Sequence, residues 1–285
     1  MIPAAFQYHS PDSVADAIDL LSTHGADAKI LAGGQSLIPM MKLRLADPQV
    51  IIDLGKISSM NYINERDGGV AVGGMTTYEQ IESSETVPSL LSEAASSVAD
   101  VQVRNRGTIG GSLSHNDPAA DLPAAIIALG GEIITSSKNE HRTIQAADFF
   151  IDLFTTDLAD NEILSEVFIK AQPSGSGSAY LKFANKASHY AIVGVAVVIE
   201  TDSDGRCSFA SIGVSGAGPC AFKAKSSENI LVGSNLDESA ITEAASQAGN
   251  GIEFNDDVHA SAEYRAHLLK VYTTRAIKKA ASRID

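Results

Sequence analysis

The start of the chain shows the apolar spacing of a helix that packs on one side. Its apolar residues recur three or four positions apart, at Val14, Ile18 and Leu21. Before them, the segment Ser10-Pro11-Asp12 combines an N-cap residue, a proline suited to the first turn and an acidic side chain. Gly25 is a typical helix stop. The pattern predicts a helix that is capped by Ser10 and ends near Gly25.

Two short apolar runs after this helix predict strands. They cover residues 29–32 and 50–54, and residues 37–45 between them have helical composition. A strand, a tight turn, a helix and a second strand form a βαβ unit, in which the two strands run parallel. We therefore expect a parallel pair of strands near the N-terminus.

The middle of the chain mixes short helices and strands. Thr77 and Gln80 have the spacing of a capping box, which opens a short helix. Helical composition continues over 90–99, and a further helix is predicted from Asp121 to the glycine pair at 130–131. Strands are predicted over 132–135 and 166–170.

A stretch rich in Pro, Gly and Ser, residues 172–178, is the clearest candidate for a domain boundary. The elements predicted after it are strands near 179–183, 191–200 and 207–215 and helices near 237–250 and 261–282. The final helix is basic, with six Lys and Arg against two acidic residues from position 263 onward. Either these cations are solvated and complement the helix dipole, or they form a docking surface for an acidic partner.

Composition and charge exclude several classes of protein. The 285 residues are 44% hydrophobic and 20% charged, which is typical of a folded globular protein, and the length suits two modest domains. A net charge of −14 disfavours binding to nucleic acid or to an anionic membrane, because phosphates would repel the protein. No apolar run approaches the ~20 residues of a membrane-spanning helix.

The cysteines and histidines predict no metal site in this chain. Cys207 and Cys220 are the only cysteines, too few for an iron–sulfur cluster, and the seven histidines lack metal-ligand spacing. The first ten residues have neither the basic nor the apolar region of a signal peptide. We therefore expect a cytoplasmic protein with free thiols.

Two glycine pairs carry the candidate chemistry. Gly33-Gly34 lies between a predicted strand and a predicted helix, where successive amides can bind an anion such as a pyrophosphate. An ordinary tight turn explains the same residues equally well. Gly110-Gly111 is flanked by hydroxyl residues, and Asp121 follows at a predicted helix start. Asp121 is either an N-cap, which its position favours, or an acceptor for a ligand hydroxyl.

The two glycine segments together resemble the flavin-binding motifs of the FAD subunits of molybdenum hydroxylases. The first is Ile-Leu-Ala-Gly-Gly-Gln-Ser-Leu-Ile-Pro at 30–39 with Lys-Leu-Arg at 42–44. The second is Arg-Asn-Arg-Gly-Thr-Ile-Gly-Gly-Ser at 104–112 with Asp-Pro-Ala-Ala-Asp-Leu-Pro at 117–123. The run Ser-Ala-Glu-Tyr-Arg-Ala-His-Leu at 261–268 is similar to the family's closing helix. Within this xanthine dehydrogenase family, the size and layout are most similar to the medium subunit of aerobic carbon monoxide dehydrogenase.

The resemblance covers nearly the whole chain and implies an α+β fold. It implies a vanillyl-alcohol-oxidase (PCMH) type FAD-binding domain over 1–172, built from a βαβ subdomain (1–54) and a second subdomain (55–172). A C-terminal α+β domain with a small antiparallel sheet and helices follows over 178–285. The implied protein is an oxidoreductase subunit that binds FAD.

The resemblance also implies partners and a route for electrons. The family's partners are a large molybdopterin subunit and a small subunit with two [2Fe–2S] clusters, and we expect a dimer of heterotrimers. Electrons pass from molybdenum through the clusters to FAD and then to an external acceptor. The two cysteines agree with clusters on another chain. No catalytic side chain is implied, since the flavin itself exchanges electrons.

Cofactor-binding residues are implied position by position. The first motif would line and wrap the pyrophosphate with Lys29, Ile30, Leu31, Ala32, Gly33, Gly34, Gln35, Ser36 and Leu37. The second would meet the other side of the dinucleotide with Thr108, Gly110, Gly111, Ser112 and Ser114, while Asp121 accepts a hydroxyl. Contacts near the ring or adenine would come from Ile163, Leu164, Lys182, Lys186 and Tyr190. Ala-Ser-His-Tyr at 187–190 departs from the family's more usual Thr-Gly-Asp-Tyr.

Two other functions are compatible with the residues. One is a self-contained FAD-dependent oxidase of the same superfamily, although such enzymes usually carry a large substrate domain. The other is a non-catalytic α/β interaction module that has kept the turns and lost the cofactor. The substrate of the complex and its electron acceptor cannot be read from this chain.

Overall fold

The computed structural model describes residues 2–284 and begins with a parallel three-stranded sheet. Its elements are β1 (Gln7–His9), α1 (Val14–His24), β2 (Ala28–Leu31), α2 (Leu37–Leu43) and β3 (Val50–Asp53). The strand order is β1-β3-β2, and β2 pairs with β3 in parallel, which confirms the predicted βαβ unit. The short strand β1, which the sequence did not indicate, adds a third parallel strand.

The start of α1 differs from the prediction. Its N-cap is Ser13, not Ser10, because the Ser13 backbone is extended and its hydroxyl accepts a hydrogen bond from the Asp16 amide. The Ser13 hydroxyl also donates to the Asp16 carboxylate at 2.6 Å. This pair of bonds fixes the helix start one turn later than the proline suggested. The helix ends before Gly25 as predicted.

The second unit is a five-stranded antiparallel sheet with helices packed against it. In chain order its elements are β4 (Ile63–Arg66), β5 (Gly69–Gly73), α3 (Tyr78–Glu82), α4 (Ser89–Ser96), α5 (Val101–Arg104), α6 (Ile109–His115), α7 (Leu122–Ala128), β6 (Glu132–Ser136), β7 (His141–Gln145), α8 (Ala146–Phe149), β8 (Phe150–Asp152), β9 (Thr155–Thr156) and β10 (Ile163–Lys170). The sheet order is β4-β5-β10-β6-β7, and β8 pairs with β9 in a small hairpin. The predicted capping box is present, with Thr77 and Gln80 bonded reciprocally.

The C-terminal unit is a four-stranded antiparallel sheet, order β11-β12-β13-β14, covered by helices. Its elements are β11 (Ser176–Ala184), β12 (Ala191–Thr201), β13 (Cys207–Ser215), β14 (Phe222–Lys223), α9 (Lys225–Leu231), α10 (Glu238–Ser246) and α11 (Ala262–Ala281). Part of the predicted boundary at 172–178 is therefore strand, because residues from Ser176 onward pair with β12. The sequence missed β14 and α9, which are too short to show a clear period.

The central strand β12 is buried on both faces and joins two cores. Ala196 and Val198 belong to the core formed with α4 and α7, whereas Val195 and Val197 belong to the core under α11. Alternate residues of a strand point to opposite faces of its sheet, which explains why the apolar run is continuous. One face of the C-terminal sheet thus packs on the preceding unit.

The basic residues of α11 mostly hold the protein together. Lys279 and Arg283, just past its end, pair with Glu93 of α4, and Lys278 pairs with Glu238. Arg265 is 4% exposed and donates to the carbonyls of Ile192 and Gly216. Lys278 and Lys279 lie in the last turn of α11, where cations complement the helix dipole, as the first interpretation expected. These four residues are nevertheless not free cations, which neither interpretation expected. Their partners lie far away in the sequence, where composition gives no sign of them.

Candidate cofactor site

The first glycine turn follows β2 and precedes α2. A β-carbon on Gly33 would overlap the carbonyl of Arg106 and approach the Gly107 α-carbon at 2.8 Å, so only glycine fits there. Gly34 has φ +75°, in the left-handed region that glycine adopts without strain. Within residues 2–284, the amides of Gly33 through Ser36 donate to no acceptor. Four consecutive free amides in a tight turn form a concave anion-binding group.

The second glycine pair has a different role from the predicted one. It lies inside α6, where the Gly110 amide donates to the Gly74 carbonyl at 2.9 Å and the Gly111 amide donates to the Thr108 hydroxyl at 3.2 Å. Both amides therefore have acceptors within the protein, so this pair does not offer them to a pyrophosphate as the first pair can. The sequence could not show this, because the carbonyl of Gly74 comes from the end of another strand.

Close packing is what the second pair provides. A β-carbon on Gly110 would lie 2.6 Å from the Gly74 carbonyl oxygen, and one on Gly111 would lie 3.5 Å from the Ala32 side chain. Gly110 thus lets α6 pack on the residue that follows β5, while Gly111 lies in ordinary contact with the first turn. Ser112 and Ser114 are carried on this helix and are only partly buried, so their hydroxyl groups remain possible donors.

The two glycine segments meet in what we call the glycine junction, formed by Gly33, Arg106, Gly107 and Gly111. Tyr78 of α3 closes its far side, because a β-carbon on Gly107 would overlap the Tyr78 ring. Burial raises the pKa of Tyr78 to about 12, and the charge of Asp121 adds to the shift. Sequence reasoning missed Gly74, Tyr78 and Arg106; the repeated glycines near 73–74 and the capping box at Thr77 were the available signals.

Asp121 does not cap a helix. Its backbone is already helical and its side chain makes no capping bond. The carboxylate instead accepts a hydrogen bond from the Tyr180 hydroxyl at 2.6 Å and one from the Lys182 ammonium at 3.0 Å. The favoured N-cap interpretation is therefore wrong. Burial raises the pKa of Asp121 to about 6, while Lys182 and Tyr180 act in the opposite direction.

The Lys182 ammonium donates all of its hydrogen bonds to groups within the protein. Besides Asp121, its ammonium donates to the carbonyls of Ser97 and His189, each at 2.7 Å. These bonds use all three donors of the ammonium, and only 7% of the side chain is exposed. We call Asp121, Tyr180 and Lys182 the polar cluster. The polar cluster joins the start of α7 in the second unit to β11 in the C-terminal unit.

The loop after β11 carries the remaining candidates. Lys186 is exposed and makes no ion pair within residues 2–284, in contrast to Lys182. Tyr190 ends the loop with about half of its surface exposed, at 48%. Its pKa is raised by burial and by the charges of Asp117 and Asp121, which places the phenol near the polar cluster.

Ile163 and Leu164 reach the glycine segments through the backbone. Both side chains are buried in cores, at 3% and 4% exposure. A β-carbon on Gly74 would lie 2.5 Å from the Leu164 carbonyl oxygen, so β10 runs beside the residue that receives the Gly110 amide. Lys29 is exposed on β2, where Ile30 and Leu31 are half-buried. Within residues 2–284, neither the Lys29 nor the Lys186 side chain forms an ion pair.

Comparison with known proteins agrees with this arrangement. The family described as the FAD binding domain in molybdopterin dehydrogenase matches residues 4–171, and the CO dehydrogenase flavoprotein C-terminal domain matches residues 178–280. The chain is 41% identical to the nicotine 6-hydroxylase medium subunit of Paenarthrobacter nicotinovorans, over 98% of each chain. It is 38% identical to the carbon monoxide dehydrogenase medium chain of Hydrogenophaga pseudoflava, over 99% of each.

Solved structures show the same fold. A carbon monoxide dehydrogenase from Hydrogenophaga pseudoflava matches with a TM-score of 0.97 at 39% identity, covering 100% of both chains. Quinoline 2-oxidoreductase from Pseudomonas putida 86 matches with a TM-score of 0.92 at 34% identity, covering 99% of both. These matches identify the site with the glycine junction and the polar cluster as the cofactor site of a flavoprotein. The chain belongs to the FAD-binding subunits of the molybdopterin dehydrogenases.

The predicted α+β fold class and the family resemblance are confirmed by these matches. Within residues 2–284, no helix is both long enough and apolar enough to cross a membrane. Cys207 and Cys220 are free thiols, as predicted.

Proposed function

We propose that this chain binds FAD within a heteromeric molybdenum hydroxylase and passes electrons from a partner's iron–sulfur clusters to an external acceptor. The observation that carries the proposal is the run of free amides at Gly33–Ser36, packed against α6 by glycines. These donors suit a diphosphate, whose oxygens accept several hydrogen bonds at once. The family match over 4–171 supplies the identity of the dinucleotide.

Each candidate residue takes a stated part in holding FAD. The amides of Gly33, Gly34, Gln35 and Ser36 bind the diphosphate, with Lys29, Ile30, Leu31, Ala32 and Leu37 lining its approach. Thr108, Gly110 and Gly111 keep α6 against this turn, and Ser112 and Ser114 offer hydroxyl groups. Asp121 accepts a hydroxyl of the ribityl chain or ribose. Leu164 and Ile163 contribute backbone contacts, and Tyr190 packs against the ring.

FAD supplies one- and two-electron transfer, so the chain needs no general acid or base of its own. What the chain contributes besides binding is the charge near the ring. A positive charge there favours the anionic reduced flavin. We assign this part to Lys186, because Asp121 neutralises the charge of Lys182 and Lys186 has no such partner within residues 2–284.

The metal cofactors belong to partner chains in this proposal. Within residues 2–284, no group of His, Cys, Asp and Glu is arranged to hold a metal ion. Relatives are named medium chains or medium subunits, which supports a large molybdopterin subunit and a small [2Fe–2S] subunit as partners. We further propose a dimer of such heterotrimers in the cytoplasm. We also propose that the boundary between domains 1–172 and 178–285 lies within residues 172–178.

The test is made on the assembled complex. The chain is expressed together with its proposed large molybdopterin subunit and small [2Fe–2S] subunit, and FAD, molybdenum and iron are measured with and without this chain. We expect FAD to appear only when this chain is present, while molybdenum and iron remain without it. Substrate should still bleach the cluster absorbance of the complex that lacks this chain, but transfer to a dye acceptor should be lost.

Three outcomes would contradict the proposal. FAD content that does not depend on this chain would remove its assigned role. Oxidation of an organic substrate by this chain alone would favour the self-contained oxidase. A complete complex that contains this chain but no FAD would favour the interaction module.

A further inference from the structure

We infer that Tyr180 is a positioning residue for the cofactor site: its hydroxyl holds the Asp121–Lys182 pair, and through Lys182 it holds the loop that carries Tyr190. The inference rests on the proposed binding of FAD. Tyr180 lies on β11, outside both glycine motifs. The positioning role of Tyr180 is inferred from its hydrogen bonds and from the packing around its hydroxyl.

The first step is the space made for the hydroxyl. Tyr180 lies on β11, 4% exposed, and its backbone amide donates to the Glu93 carboxylate at 2.9 Å. A β-carbon on Gly194 of the neighbouring strand would lie 2.5 Å from the Tyr180 hydroxyl and 2.8 Å from the Ser215 hydroxyl. Glycine in the middle of a strand weakens it, so its presence marks a close approach. Here the approaching group is the phenol.

The second step runs from the phenol to Lys182. The Tyr180 hydroxyl donates to one oxygen of Asp121 at 2.6 Å, the short length expected for a bond to a carboxylate. Asp121 in turn compensates the buried Lys182 ammonium. A buried charge that loses its partner is strongly unfavourable, so the geometry of the pair depends on Asp121 staying ionised. Tyr180 favours the ionised form by donating to it.

The third step runs from Lys182 to the loop. Its ammonium donates to the His189 carbonyl at 2.7 Å, directly before Tyr190. His189 has φ +60°, a left-handed conformation that a non-glycine residue keeps only when its surroundings hold it. The same ammonium bonds to the Ser97 carbonyl at the end of α4. Lys182 therefore fixes the loop to the end of α4 in the second unit, and Asp121 and Tyr180 fix Lys182.

The pH dependence of FAD binding separates this role from simple packing. The groups that face Asp121 are Lys182 and Tyr180 on β11, Tyr78 on α3 and Tyr190 at the loop end. Removing the Tyr180 hydroxyl takes away a bond that lowers the pKa of Asp121. More of the carboxyl groups then carry a proton near neutral pH, and Lys182 loses its partner. At higher pH the carboxylate re-forms, so the defect should fade.

The experiment uses the assembled complex, stripped of FAD and titrated with FAD at several pH values. For Tyr180→Phe we expect the Kd for FAD to rise about tenfold near neutral pH and less than about threefold near pH 8.5, the size of one bond to a charged group. Tyr62→Phe is the matched control, since its hydroxyl makes an equally short bond to Glu166 in the five-stranded sheet. Tyr62→Phe should leave the Kd unchanged at every pH.

A second variant makes the test independent of how well Tyr180→Phe folds. Asp121→Asn removes the titrating group, so its Kd should be raised at all pH values and should lose the pH dependence. Tyr180→Phe added to Asp121→Asn should introduce no new pH dependence. A Tyr180→Phe defect of equal size at every pH, or a wild-type pH profile in Asp121→Asn, would overturn the inference. A wild-type complex that takes up no FAD would instead overturn the proposed function.

Discussion

The carbonyl oxygen of Arg106 occupies the place where a β-carbon on Gly33 would stand. The contact joins the turn after β2 to the loop before α6, two segments that are far apart in the sequence. The glycine therefore does more than form a turn. It allows the free amides of the first segment to lie close to the second segment.

Gly33→Ala should weaken FAD binding more than it weakens the fold. The added methyl group must push the two segments apart, and we expect the Kd for FAD in the complex to rise at least about tenfold. Gly205→Ala is the control, because Gly205 has φ +76° but no heavy atom within 4 Å of the position of an added β-carbon. It should cost about 1 kcal/mol of stability and leave the Kd unchanged. Equal Kd values for both variants would refute the role of the junction.

Lys186→Met should lower the reduction potential of the bound flavin. Removing an exposed positive charge near the ring destabilises the anionic reduced form, by a few tens of millivolts, or roughly 1 kcal/mol. Redox titration of the complex measures the shift. Lys225→Met offers a control at another exposed lysine without an ion pair within residues 2–284. An unchanged potential in Lys186→Met would end the assignment.

Lys182→Met should behave differently and act on stability. The substitution leaves the Asp121 carboxylate buried without its cation, which costs about 3–5 kcal/mol for a buried pair. Chemical denaturation of the purified complex or subunit, followed by circular dichroism, gives the free energy of unfolding. The loss should shrink at lower pH, because a protonated Asp121 needs no partner. A loss below 1 kcal/mol at neutral pH would show that the pair is not essential, on the scale of an exposed ion pair.

The raised pKa of Asp121 predicts a specific pH dependence of stability. Its pKa is about 6 in the folded protein and 3.8 as the reference value, so the folded state keeps a proton that the unfolded state has released. The stabilisation this gives is complete below the reference pKa and is lost as pH rises through the folded pKa, by about 3 kcal/mol in all. Asp121→Asn should remove this loss, so its unfolding free energy should gain on that of wild type by about 2 kcal/mol between pH 4 and 6. Parallel pH curves for the two proteins would contradict it.

Glu93→Gln should loosen the link between the units. Glu93 pairs with Lys279 and Arg283 and accepts the Tyr180 amide, and its side chain is 26% exposed. We expect a loss of about 1–2 kcal/mol. Glu238→Gln breaks the more exposed pair with Lys278, at 74% exposure, and should cost no more than about 0.5 kcal/mol. Similar losses of stability for both variants would contradict the role of Glu93 in linking the units.

Local patterns predicted the local structure well. The parallel pair β2–β3, the capping box at Thr77 and the three long strands of the C-terminal sheet all follow from residue spacing and turn residues. The family was recognised from two motifs in order, and the comparisons confirm it. These features share one property, which is that the residues that determine them lie close together in the sequence.

Features with distant partners could not be predicted in the same way. Asp121 has the position of an N-cap, but its partners Tyr180 and Lys182 lie 59 and 61 residues further along the chain. The amide of Gly110 looks free in the sequence until Gly74 is brought to it by folding. The cations of α11 look solvated until Glu93 is placed beside them. In each case a tertiary hydrogen bond or ion pair overrides what the local sequence favours.

The burial of β12 on both faces restricts how this chain could be recombined with its relatives. A chimera joined near residue 175 would bring a foreign C-terminal sheet against α4 and α7, so Ala196 and Val198 would need replacements matched in volume to a surface from another parent. The polar cluster also spans this interface between the second unit and the C-terminal sheet. Exchange of the whole chain keeps both cores intact, whereas exchange of either half alone does not.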